Sequence, residues 1–183
     1  MDSEATSDDP EDLQIIGKGR YLRLVVRDTW EYVQRLGARG AVAIIAVTSQ
    51  NRLLLVEQLR PALGCNVIEL PAGLVGDRAE DPHETLASAA HRELEEETGY
   101  HADTMEWLAS GPTSPGLSGE VIAFLRAGTL ERIGAGGGDA SEDITVHEVP
   151  LPELRTWLLA KASDGCALDP KIYAGAFLAG LKC

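Results

Sequence analysis

Arg92-Glu93-Leu94-Glu95-Glu96-Glu97-Thr98-Gly99-Tyr100 is the stretch with the most chemistry in it. On a helix, Glu93, Glu96 and Glu97 stand at i, i+3 and i+4, so three carboxylates project from one face. Like charges at that spacing repel one another by about 0.2–0.5 kcal/mol per pair. Two readings accommodate the cluster. It is either a solvated acidic helix surface, or a set of oxygen ligands whose charge is neutralised by a hard divalent cation such as Mg²⁺ or Mn²⁺. In the second case the cation also brings phosphate oxygens, which carboxylates alone repel, to the same place.

These side chains need a helix to hold them, and the local sequence supplies one. Ala, Leu and Glu dominate Ala87 to Thr98, Leu86, Ala90 and Leu94 recur every four residues, and Gly99 stops the run. The surrounding chain is rich in strands. Tyr21–Arg27 and Trp30–Val33 are short strand segments that must pack on something else. Ala41–Val47 reads as a buried strand, and Ser49-Gln50-Asn51 turns it into Arg52–Gln58 as a hairpin. Met105–Ser110, Val121–Leu125 and Ile144–Val149 are further strands. A helix opens at Leu151 and runs through Leu159, and a last helix is expected from about Lys171 to Leu181. Gly134–Ser141 reads as a flexible loop. No internal repeat stands out, and the order of elements predicts an α+β fold, a mixed α/β/α sandwich.

Composition narrows the function classes. With 183 residues the chain has enough length for one core. Its 29 Asp+Glu against 16 Lys+Arg leave a net charge of -13, a poor basis for binding nucleic acid or an anionic membrane. Ala41–Val47 is far shorter than a membrane span of about 20 residues. No basic segment followed by an apolar one opens the chain, so no secretory leader is expected. Cys65, Cys166 and Cys183 lack a C-x-x-C spacing and cannot all pair, which argues against a disulfide framework and a cysteine zinc site. The four histidines share no ligand spacing: His91 reads as a helix-surface residue and His83, His101 and His147 as structural. A soluble, cytoplasmic protein is expected.

The glutamate stretch resembles the second half of the Nudix box, R-E-U-x-E-E-x-G-U, with Leu94 and Tyr100 at the apolar positions. The first half departs from the family pattern: Gly73 and Arg92 stand five residues further apart than G-x5-E-x7-R requires. Two alignments compete. Glu84 as the box glutamate puts the extra residues in a Gly76–His83 loop, with Thr85 capping the helix. Glu80 instead implies a helix one turn longer that starts at Pro82. Gln58-Leu59-Arg60-Pro61, Ile68–Gly73 and Ser114–Glu120, with Pro115 sixteen residues after Gly99, are similar to segments of the ADP-ribose and nucleotide-sugar pyrophosphatase branch. So are Thr29–Arg35 and the Glu142–Val146 stretch.

That resemblance implies a Nudix fold with a short N-terminal β segment, and a metal-dependent hydrolase that splits ADP-ribose or a related nucleoside diphosphate sugar into a nucleoside monophosphate and a sugar phosphate. Metal ligation falls to Glu93 and Glu97, with Glu96 assisting and the Ala72 carbonyl completing the sphere; Mg²⁺ is the implied cofactor and Mn²⁺ the alternative. Arg92 orients the box glutamates, Glu84 being its partner or an outer ligand. Glu142 is the implied general base, with Asp139 and Asp143 as fallbacks. Arg35 and Arg60 are implied phosphate contacts, Glu69 a ribose or metal-water contact, and Trp30 either stacks on a base or simply packs. Other readings are hydrolysis of GDP-mannose, NADH or diadenosine polyphosphate, or a sensor that binds ADP-ribose without cleaving it. The implied organisation is a disordered acidic tail (residues 1–12), an N-terminal β segment that packs across a homodimer (13–38) and a Nudix domain (39–183).

Overall fold

A computed structural model describes residues 13–138 and 142–182. The acidic tail at 1–12, Asp139 and Cys183 lie outside the described residues. Thirteen strands form three larger sheets and one small pair among these residues. The N-terminal sheet is an antiparallel meander of β1 (Leu13–Lys18), β2 (Leu22–Arg27) and β3 (Trp30–Arg35). A second sheet has the order β7-β4-β10-β9, from β4 (Gly40–Ile45), β7 (Ala72–Val75), β9 (Met105–Pro112) and β10 (Val121–Ala127). A third has the order β12-β5-β6-β13, from β5 (Arg52–Arg60), β6 (Cys65–Glu69), β12 (Thr145–Pro150) and β13 (Ala167–Leu168). β8 (Tyr100–Ala102) pairs with β11 (Leu130–Arg132).

The second sheet divides two cores, which is why β4 is apolar at every position after its first residue. Val42 and Ile44 face α1 (Leu86–Thr98), joining Ala123, Leu125, Ala90 and Leu94. Ala41, Ala43 and Ile45 face the other way, joining Ile122, Phe124, Ile68 and Leu70. That second core is closed by Leu154 and Leu158 of α2 (Leu154–Ser163) and Ile172 of α3 (Lys171–Leu178). Each such aliphatic side chain contributes about 1.5–3 kcal/mol on full burial. The arrangement is the expected mixed α/β/α sandwich.

Four expectations need correction. The hairpin between β4 and β5 is not one: apart from a Val47–Leu53 bridge the strands diverge into different sheets. Both are buried on two faces, so each takes its own layer. The two N-terminal strand segments gain a third, β1, and the three pair with one another. The last helix ends at Leu178 and not Leu181, and Gly180 follows with a positive φ of 66°. A 3-10 turn (Leu151–Glu153) precedes α2, with Pro152 inside it.

Behind the third sheet, Glu57 accepts from Lys161 Nζ at 2.7 Å and Asn66 Nδ2 at 2.9 Å, and lies 2.9 Å from His147 Nε2. Led by Lys161, these partners hold its carboxyl down at about 2. The cluster ties β5 to β12 and α2. His91 differs from the surface role expected of it: its Nδ1 is buried without a hydrogen-bond partner, and its ring stacks on His101 at 5.7 Å.

Candidate active site

The α1 helix starts where a cap is available. Thr85 Oγ1 accepts from the Ser88 N–H at 3.1 Å, satisfying a first-turn donor. The helix ends where Gly99 takes a left-handed φ of 73° and its N–H closes on the Glu95 carbonyl at 2.9 Å. Between these caps, Glu93, Glu96 and Glu97 face a cleft of about 420 Å³ between α1 and the ends of β5, β6 and β7. Their environments differ. Glu97 is only 2% exposed, and its Oε2 accepts from the Ala72 N–H at 3.0 Å. Glu93 reaches the space above Gly73, where a Cβ would stand 1.9 Å from its Cδ. Only glycine leaves that space for the carboxylate.

Arg92 organises the carboxylates from the side. Its Nε donates to Glu84 Oε1 at 2.9 Å, its Nη1 to Glu93 Oε1 at 2.6 Å and Glu96 Oε2 at 3.3 Å, and its Nη2 to the Leu74 carbonyl at 3.0 Å. Glu84 is 6% exposed and also accepts from the Gly76 N–H at 3.1 Å. It therefore stands where the shorter helix puts it, behind the cleft as the partner of Arg92. Arg92, foremost, then Gly76 keep the Glu84 carboxyl below its ordinary range despite its burial. For Arg92, burial works against the charge, but Glu84 and Glu93 outweigh it and strengthen its hold on the proton.

Burial acts in the opposite sense on the other two carboxylates. It is the main cause that pushes Glu93 up to about 7, against the opposing pull of Arg92. It also pushes Glu97 well above the ordinary range, with Glu93 and Glu142 adding repulsion. Burial leaves both carboxylates resisting ionisation, and a divalent cation would supply further positive charge beside them. The donor set is thus of the right chemistry for a hard cation: carboxylates with a backbone segment close by. Among the described residues no group of three His, Cys, Asp or Glu side chains converges as a formed metal centre. Arg92 lies between Glu93 and Glu96 instead.

The cleft also gathers Ala72, Arg35, Arg60, Glu69 and Glu142. Arg35 Nε pairs with Glu120 Oε1 at 2.6 Å and Arg60 Nε with Glu69 Oε2 at 2.7 Å. Trp30 is not brought in: 60% exposed, it borders a separate shallow pocket with Tyr32 and Pro115. The glycine loop is less free than its composition suggests. Gly137 and Gly138 donate to the Glu97 and Glu96 carbonyls at 2.9 and 3.0 Å, fastening the loop to the last turn of α1. Glu142 is exposed. Sequence reasoning missed Asp77, Arg78, Thr113, Glu120 and Lys171, all in the cleft wall. The Asp-Arg pair inside the lengthened loop was a signal that could have been used; Lys171, far beyond the box in the last helix, carried none.

Residues 37–165 match the model of the NUDIX domain. The chain belongs to the Nudix family. This Nudix protein is 42% identical over 123 residues to a methanol dehydrogenase activator of Bacillus methanolicus, covering 67% of this chain and 64% of that one. It is 36% identical over 115 residues to an ADP-ribose pyrophosphatase of Bacillus subtilis (strain 168), covering 62% and 60%. The chain thus spans less than two thirds of the length of these bacterial relatives. It is 34% identical over 162 residues to an ADP-sugar pyrophosphatase of Mus musculus, covering 80% and 71%. A crystal structure of an ADP compounds hydrolase shares the Nudix fold, with a TM-score of 0.73 at 20% identity over 92% of this chain and 90% of that one.

Proposed function

We propose that this Nudix protein is a pyrophosphohydrolase of nucleoside diphosphate sugars, with ADP-ribose as its leading substrate, yielding a nucleoside monophosphate and a sugar phosphate. The observation that carries the reading is the convergence of Glu93, Glu96 and Glu97 from one helix face on a cleft ringed by Arg35, Arg60 and Lys171. The mixed charges suit a diphosphate held between a cation site and fixed guanidinium groups. Relatives named for ADP-ribose and ADP-sugar support the substrate class they have in common.

Glu93 and Glu97, assisted by Glu96 and the Ala72 carbonyl, are the residues that would hold the divalent cation, Mg²⁺ or Mn²⁺. When bound, such a cation draws charge from the phosphate oxygens and lowers the barrier to attack. Arg92 holds Glu93 and Glu96 in place, and Glu84 holds Arg92. Arg35 and Arg60 orient the diphosphate, and Glu69 fixes Arg60. Glu142 accepts the proton of the attacking water as its oxygen bonds to phosphorus. The bridging P–O bond then breaks, and the departing phosphate takes the electron pair. Asp143, also exposed, is the alternative base.

A phosphate-release screen tests the reading, using nucleotide sugars with Mg²⁺ and with Mn²⁺ and a phosphatase to free phosphate from the monoester products. ADP-ribose or a close analogue is expected to lead. Tight ADP-ribose binding without release under either metal would instead identify a sensor. Trp30 enters the proposal through assembly. Ile15, Ile16, Tyr21, Leu22 and Trp30 are exposed large apolar residues of the N-terminal segment, of the kind a two-fold partner covers. A homodimer in the cytoplasm is proposed, consistent with free Cys65 and Cys166 and with the lack of a membrane-spanning helix among the described residues. Light scattering at micromolar concentration should give twice the 19.6 kDa chain mass; an active monomer would contradict this.

A further inference from the structure

The loop from Gly76 to Glu84 is the place where this chain departs from the spacing of its family, and it reaches into the cleft. Asp77 and Arg78 both line the cavity. Arg78 Nη2 donates to Glu96 Oε1, and Asp77 Oδ1 lies 3.7 Å from Arg92 Nη2. Arg78 and Glu96 remain 40% and 34% exposed, so their pairing is a wet one that exchanges easily.

Of the four other cations in the cleft wall among the described residues, Arg92 serves the α1 carboxylates from the side, whereas Arg35 pairs with Glu120, Arg60 with Glu69 and Lys171 with Asp169. None of those three carboxylates belongs to the α1 cluster. Glu96 does. A divalent cation and Arg78 therefore compete for one carboxylate. Once the cation draws on Glu96, Arg78 is left with a planar, permanently charged fork in a cleft shaped for phosphates.

We propose that Arg78 is a phosphate-binding residue of this site, held on Glu96 in the free protein and transferred to a phosphate oxygen of the nucleoside diphosphate when the ligand and a divalent cation enter. This rests on the reading of the cleft as a pyrophosphohydrolase site.

The test compares the full chain with Arg78→Ala and Arg78→Lys, by calorimetric titration of ADP in saturating Mg²⁺ and by steady-state hydrolysis of ADP-ribose. In Arg78→Ala the affinity for ADP should fall about tenfold, as for loss of a charge-assisted hydrogen bond. KM should rise by a similar factor, with a much smaller change in kcat. Arg78→Lys should recover part of the loss. Mg²⁺ titrated without nucleotide should bind Arg78→Ala as tightly as the wild type or more so, because a competitor for Glu96 is gone. Wild-type ADP affinity and KM in Arg78→Ala would overturn the proposal. So would a lower kcat at constant KM together with weaker Mg²⁺ binding, since Arg78 would then only support Glu96. If the wild type cleaves no nucleoside diphosphate sugar, the functional reading fails, and the ADP titration still decides the role of Arg78.

Discussion

Glu142→Gln is expected to lower turnover by ~10²–10⁴-fold, the usual contribution of a positioned general base, while Mg²⁺ affinity stays near the wild-type value. The expectation rests on where Glu142 stands. It lines the cleft, and its charge is felt by Glu97, yet it sits on a separate loop and not on the helix that carries the other carboxylates. The amide keeps the shape of the side chain and removes its capacity to take a proton. Steady-state rates beside calorimetric Mg²⁺ titrations check it. Near-wild-type turnover would move the role to Asp143 or another loop carboxylate. A matching loss of metal affinity would make Glu142 a ligand of the cation.

Glu97→Gln should behave differently, with metal affinity and turnover falling together, by ~10²-fold or more, beyond the 10–100-fold typical of groups that merely support a ligand. Glu97 is the most deeply buried of the three box carboxylates and already accepts from the Ala72 N–H. An amide at that position removes the charge that a cation needs, and it turns one oxygen into a donor facing other donors. Glu93→Gln should show the same pairing of losses, softened by the partial exposure of its surroundings. The measurement is a Mn²⁺ titration followed calorimetrically, with rates taken at saturating metal. Turnover lost at unchanged metal affinity in Glu97→Gln would remove Glu97 from the ligand set.

The parts of this site that are local in sequence were legible without a structure. The i, i+3, i+4 spacing places Glu93, Glu96 and Glu97 on one face, and Thr85 and Gly99 mark the ends of the helix, because capping and helical period are properties of neighbouring residues. The unbroken apolar run along β4 is likewise a local signal, read as a buried strand. Pairing was not legible. Nothing in Ala41–Val47 says that its partners are β7 and β10 and not β5, because strand partners are chosen by the cores on either side of the sheet. The same limit hid Lys171, which only the docking of α3 brings to the cleft wall. It also hid the anchoring of the glycine loop, whose flexible composition says nothing of the two helix-end carbonyls its N–H groups satisfy. Trp30 illustrates the converse: a residue singled out by resemblance lies outside the cleft of its own chain.

The most direct test of the central claim is to incubate the wild-type protein with ADP-ribose and Mg²⁺ in ¹⁸O-labelled water and to identify the products by chromatography and mass spectrometry. The account predicts AMP and ribose 5-phosphate in equal amounts, with one ¹⁸O atom on one of the two phosphates, and no reaction once the metal is chelated. Intact ADP-ribose recovered from a protein that binds it, or products formed at the same rate in excess chelator, would contradict it.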